Sequence, residues 1–161
     1  MSLTAAERDR LIEQYATGPA RLKAALAAVP AEALDWRPDP EEFSVHEIIC
    51  HCADSETNAH GRIRYLLTED EPVIVGYDPM TWAATFHYAD HPMEASLATV
   101  VAVRANTVPI LRRLRDAAWE TAGMHTESGR YTATDWLRTY AAHLEEHVHQ
   151  IGKTVAAWKA R

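Results

Sequence analysis

The sequence predicts an all-α fold, a four-helix bundle with a long crossover between its second and third helices. Three observations carry that prediction. Alanine makes up about one residue in six, and runs of β-branched residues are scarce, a composition that favours helix. Four segments repeat apolar residues at helical spacing. The stretch from about 68 to 91 shows no such period and is too long for a tight turn.

The first segment opens at Thr4-Ala5-Ala6-Glu7. That is the spacing of a capping box, in which two side chains satisfy backbone N–H groups left unpaired at a helix start. Leu11, Tyr15, Leu22, Leu26 and Val29 form its stripe, and it stops before Pro30. Gly18-Pro19 interrupts the middle, where a missing backbone donor predicts a kink or a break. The second segment opens at Ser44-Val45-His46-Glu47, another capping box, and runs to about Leu67. Its inward positions are Ile48, Cys52, Ala59, Ile63 and Leu66.

A third segment begins near Pro92, a residue tolerated in a first turn, and continues through Leu97, Val101, Val108, Leu111 and Leu114, with a kink expected at Pro109. The fourth starts at Thr132 or Thr134 and runs to the C-terminus through Trp136, Tyr140, Ile151 and Trp158. Within the long crossover a short helical turn is expected around Met80–Ala84. A connection of that length can cross the bundle and return the chain in the same direction, although a simple up-down course stays open. No internal repeat or linker divides the chain, so residues 1–161 read as one domain.

Charge and cysteine usage exclude several function classes. A formal charge of −7 leaves no excess of Lys and Arg to displace counterions from a nucleic-acid backbone. The longest apolar run, Leu97 to Val103, is far short of the roughly 20 residues that cross a bilayer. The N-terminus is charged where a signal peptide would be apolar. Cys50 and Cys52 cannot build a disulfide framework, so a reducing cytoplasm is the expected compartment.

The chemistry lies in the nine histidines. His143 and His147 stand four residues apart, so at ~100° per residue they share a helix face. That face is the apolar one, carrying Trp136, Tyr140 and Ile151, whereas His149 points elsewhere and reads as solvated. His51 follows Ile48 by three residues and falls on the inward stripe of the second segment. Three imidazoles from two facing helices can converge on one ion inside a bundle. Spacing alone leaves a second reading open, in which each ring is a core residue bonded to a carbonyl or water. The order His143-Leu144-Glu145-Glu146-His147 lacks the glutamate that H-E-x-x-H requires, which argues against a metalloprotease of that type.

Other residues read more plainly. Glu47 closes a capping box; Glu56 is a candidate for orienting a ligand histidine or pairing with a neighbour. Glu145 and Glu146 read as a solvated face, Cys52 as core and Cys50 as flanking. Trp36 and Trp82 are candidates for walling a pocket, His125 for a surface turn, and Arg62 and Arg64 for meeting an anion or solvent. No residue declares itself a catalytic base.

The segment from Phe43 to Glu56 resembles the W-S-hydrophobic-x-E…H…E helix of the DinB/YfiT-like superfamily, with phenylalanine where tryptophan is common. Trp119, the run Gly123-Met124-His125-Thr126-Glu127-Ser128-Gly129-Arg130-Tyr131-Thr132 and the run from His143 to Ile151 are similar to that family's later loop and its H-x-x-x-H-x-x-Q-I helix. The resemblance covers most of the chain. It implies an up-down-down-up four-helix bundle with a three-histidine metal site at His51, His143 and His147. It also implies nickel or zinc as the ion, and a homodimer. Members are described as hydrolases or as transferases and isomerases that use low-molecular-weight thiols, so a small-molecule substrate, with or without such a thiol, is expected. A different class stays open: a metal-binding or stress-response protein whose ion is structural or sensory.

Overall fold

The computed structural model describes residues 3–161. Its long helices are α1 (Ala5–Ala27), α2 (Val45–Thr68), α4 (Met93–Leu111) and α5 (Ala133–Ala160), with a short α3 (Pro79–Thr85) inside the crossover. Capping sets three of the starts. Thr4 and Glu7, Ser44 and Glu47, and Thr132 and Asp135 each exchange side-chain and backbone hydrogen bonds at the heads of α1, α2 and α5. α1 runs unbroken through Pro19, and α4 continues through Pro109 but ends at Leu111, a turn earlier than its apolar spacing predicts.

Two apolar clusters fix the direction of each helix. One gathers Ile12 and Tyr15 from the first half of α1 and Ile63 and Leu66 from the end of α2. It also holds Val108 and Leu111 from the end of α4 and Trp136 and Leu137 from the start of α5. The other gathers the opposite ends: Leu22 of α1, Ile48 and Ile49 of α2, Val100 of α4, Leu144 and Ile151 of α5. α1 and α5 therefore run one way and α2 and α4 the other, an up-down-down-up course. α1 packs chiefly against α5, and α2 against α4.

The structure adds a small three-stranded sheet that helical periodicity does not announce. β2 (Ala122–His125) and β3 (Gly129–Thr132) form an antiparallel hairpin, and β1 (Val73–Ile74) pairs parallel with β2. Met124 donates its N–H to the Pro72 carbonyl at 2.9 Å. A Cβ on Gly123 would sit 2.2 Å from that same carbonyl oxygen, so only glycine lets the strands approach. The sheet ties the crossover to the segment that leads into α5.

The buried stripe of α4 also departs from expectation. It runs through Ser96, Val100, Arg104, Thr107 and Leu111, leaving Leu97 and Val101 half-buried. α4 is apolar on most of its circumference, so periodicity alone does not choose its inner face. A buried ion pair does: Arg104 and Glu56 face each other with side chains only 1% and 0% exposed.

Candidate metal centre

His51 sits on α2 with 7% of its surface exposed, and His143 and His147 lie one turn apart on α5, half-buried. The pairing of α2 with α5 brings them together. Each ring offers one nitrogen, and these three atoms all lie within 4.8 Å of one another. The His51 ring is 4.9 Å from that of His147 and 5.7 Å from that of His143, centre to centre. Phe43, just ahead of α2, closes one side at 5.6 Å from the His51 ring.

Hydrogen bonds orient the two α5 rings. Nδ1 of His143 lies 3.0 Å from Glu56 Oε1, and Nδ1 of His147 lies 2.8 Å from Gln150 Oε1. With acceptors on both Nδ1 atoms, the Nε2 atoms face each other at 3.2 Å. Two nitrogens bound to one tetrahedral ion at the usual metal–nitrogen length would stand about 3.3 Å apart. Nδ1 of His51 is buried with no hydrogen-bond partner. A cluster of lone pairs with an uncommitted buried nitrogen suits a cation better than a dry core.

The electrostatics keep His51 and His147 in their ligand form. Burial, then the neighbouring His147 and His143 rings, lowers His51 to about 3. Burial and His143 lower His147 to about 4. Both are therefore neutral at pH 7, as metal coordination requires. Burial would push the Glu56 carboxyl up, but the Arg104 charge and hydrogen bonds from His143 and Arg104 outweigh it and hold it below its ordinary value. Neutral imidazoles suit zinc, nickel, copper and iron, and the trio fits such an ion.

A model of the DinB superfamily matches residues 14–151. The chain belongs to the DinB superfamily. Among its relatives, a protein of Oceanobacillus iheyensis whose name makes it, provisionally, a metal-dependent hydrolase is 32% identical over 133 residues, covering 83% of this chain and 77% of its own. YfiT of Bacillus subtilis, provisionally named in the same way, is 26% identical over 151 residues, covering 93% of this chain and 85% of its own. The solved structure of Bacillus subtilis YfiT, described as "a probable metal-dependent hydrolase with an unusual four-helix bundle topology", superposes with a TM-score of 0.88 at 25% identity. It covers 95% of this chain and 88% of that one. This DinB-superfamily chain thus shares that four-helix-bundle fold and brings three histidines together where a metal ion could be held.

The remaining sequence candidates divide clearly. His149 is exposed, and Leu144, in the position that H-E-x-x-H gives to glutamate, is fully buried core. Glu47 closes its capping box and also pairs with Arg37. Glu145 is less solvated than expected: it accepts from Gln14 and pairs with Arg21, joining α5 to α1. Arg62 donates to the Tyr140 hydroxyl at 2.8 Å, and Arg64 to the His60 carbonyl and Asn106, so both tie elements together. Cys50 and Cys52 are free and buried. Trp82 lines a cleft of about 420 Å³ with Arg62, Tyr65 and Val75, whereas Trp36 is half-buried in the link before α2. His125 lies on β2 against the Tyr131 ring. Sequence reading missed Arg104, and it met Gln150 only as part of the family-like helix, without a role. Their signals were a lone arginine inside an apolar helix and an amide one turn beyond His147.

Proposed function

We propose that this chain, acting as one domain over residues 1–161, is a metal-dependent enzyme in which His51, His143 and His147 hold one nickel or zinc ion. The observation that carries the reading is the convergence of three ring nitrogens within 4.8 Å, two of them set by outward-facing Nδ1 hydrogen bonds. No fourth His, Cys, Asp or Glu joins that group among the described residues. Three protein ligands leave a coordination position for substrate, which supports a catalytic role over a structural or sensory ion. When bound, a divalent ion there supplies Lewis acidity to a water, a thiol or a carbonyl group.

The chain's own residues favour two reactions, hydrolysis and transfer to or from a low-molecular-weight thiol. Glu56 holds the Nδ1 proton of His143 and is already bonded to Arg104 through both oxygens, so it serves to position and not as a general base. Its charge is compensated by Arg104, and no carboxylate or thiolate joins the three histidines among the described residues, so the centre favours an anionic partner such as a thiolate or carboxylate of a small molecule. That observation supports the thiol reading, because a thiol needs less help from a base than water does.

We also propose a homodimer in a reducing compartment such as the cytoplasm. The exposed Tyr65, Val73, Val75, Phe86 and Met124 offer surface that a second copy would cover. Free Cys50 and Cys52 suit that compartment. No helix among the described residues is long and apolar enough to cross a membrane, and the charge of −7 disfavours nucleic acid.

The test is a turnover assay of zinc- or nickel-loaded protein on esters, amides and thiol-plus-electrophile pairs, beside His51→Ala and His143→Ala. The reading expects turnover in at least one class that both variants abolish. Turnover that survives both variants contradicts it, as does metal-loaded protein inert throughout the panel.

A further inference from the structure

Pro19 lies inside α1 and has no N–H, so it frees the carbonyl of Tyr15, four residues earlier, from its helical partner. Tyr15 is fully buried, so water cannot serve that oxygen. Arg104 serves it instead: Nη1 donates to the Tyr15 carbonyl at 2.7 Å, reaching across from α4. The guanidinium stacks over the Tyr15 ring, with its carbon 4.0 Å from the ring centre. A Cβ on Gly18 would stand 2.6 Å from Nη1 and 3.2 Å from Leu144. The adjacent pair Gly18-Pro19 therefore supplies both the room and the free acceptor that this arginine uses.

From there the bonds run to the histidines. Nε and Nη2 of Arg104 donate to Glu56 Oε2 and Oε1 at 2.9 and 2.6 Å, and Nη2 also donates to the Tyr140 carbonyl of α5 at 2.7 Å. The fork holds the carboxylate in one plane. Its Oε1 is the atom 3.0 Å from Nδ1 of His143. One polar layer thus contains a group from each long helix: the Tyr15 carbonyl of α1, Glu56 of α2, Arg104 of α4 and His143 of α5.

We infer that Pro19, Arg104 and Glu56 form a positioning relay that fixes His143 with its proton on Nδ1 and its Nε2 toward the centre, making the proline inside α1 a remote determinant of metal retention. The inference rests on the metal reading above. An apolar layer would hold the helices together as well as this one, since replacing a buried ion pair by packed apolar residues is often neutral or stabilising. What an apolar layer cannot do is set a histidine tautomer.

The test measures Zn²⁺ affinity of the full chain by competition with a chromophoric chelator, together with the absorption spectrum of the Co²⁺-loaded protein. Wild type is compared with Glu56→Gln, Pro19→Ala, Pro109→Ala and His143→Ala. Glu56→Gln is expected to weaken Zn²⁺ binding about 10- to 100-fold and to move the Co²⁺ bands. Pro19→Ala restores the N–H that competes for the Tyr15 carbonyl, so binding weakens in the same direction by less, while Pro109→Ala matches wild type. If Glu56→Gln does not fold, Glu56→Gln with Arg104→Met removes both charges and carries the same expectation. Wild-type affinity and an unchanged Co²⁺ spectrum in the folded Glu56 variant, or wild-type affinity in Pro19→Ala, overturn the relay. Wild-type affinity in His143→Ala overturns the metal reading itself.

Discussion

Glu56 Oε1 lies 3.0 Å from Nδ1 of His143, and that contact joins the bundle's buried ion pair to its histidine cluster. A carboxylate on Nδ1 settles which nitrogen of the ring carries the proton and which is free to face His147. The same carboxylate is held by an arginine that bonds to backbone on two other helices. The geometry of the centre is therefore a property of the whole bundle, and not of α5 alone.

Acid sensitivity of the metal-free protein follows from the buried rings. His51 and His147 are lowered to about 3 and about 4 from 6.5, so in mild acid the unfolded chain binds protons that the folded one refuses. The stability these neutral rings contribute is whole above pH ~6.5 and falls as pH drops toward 4. Each ring accounts for about 1 kcal/mol lost per pH unit in that window. Urea unfolding of chelator-treated protein at pH 7.5 and 5.5 should show the drop, and His51→Ala should reduce it. Equal stability at both values would contradict the burial argument.

Leu144 packs at full burial between the two α5 histidines in sequence but on the opposite side from solvent. Leu144→Ala should cost about 2–5 kcal/mol through lost burial and the cavity left behind. A melting temperature within a degree of wild type would show that the site collapses freely, against the packing described.

Ser44 is 2% exposed and accepts the Glu47 N–H at the head of α2, while Glu47 accepts the Ser44 N–H. Ser44→Ala should destabilise by about 0.5–2 kcal/mol. Because His51 lies nearly two turns further along, Zn²⁺ stoichiometry should not change. Loss of zinc from a folded Ser44→Ala protein would mean that the helix start governs the centre more than Glu56 does.

Much of this architecture was legible in the sequence because the signals were local. Capping boxes at Thr4 and Ser44 marked helix starts to the residue, and the choice between Thr132 and Thr134 fell to Thr132. The four-residue spacing of His143 and His147, with an apolar stripe beside it, placed them on the inner face. The facing of α4 was not legible, because its apolar residues surround the helix and its inner position 104 is an arginine whose partner lies 48 residues away. Likewise β1 meets β2 across a separation of some fifty residues, and two residues of strand carry no period to read. Pro19 was visible as an interruption, but the use of its freed carbonyl needs Arg104 in three dimensions.

Metal content of four single variants tests the account most directly. Wild type, His51→Ala, His143→Ala, His147→Ala and His149→Ala are loaded with Zn²⁺, desalted, and assayed for bound zinc per chain alongside their melting temperatures. The account predicts one tightly held ion in wild type and His149→Ala, with a raised melting temperature on loading. It predicts that each of the other three variants loses most of the zinc and the thermal shift. Zinc retained by His143→Ala and lost from His149→Ala would place the ion elsewhere and contradict the three-histidine centre.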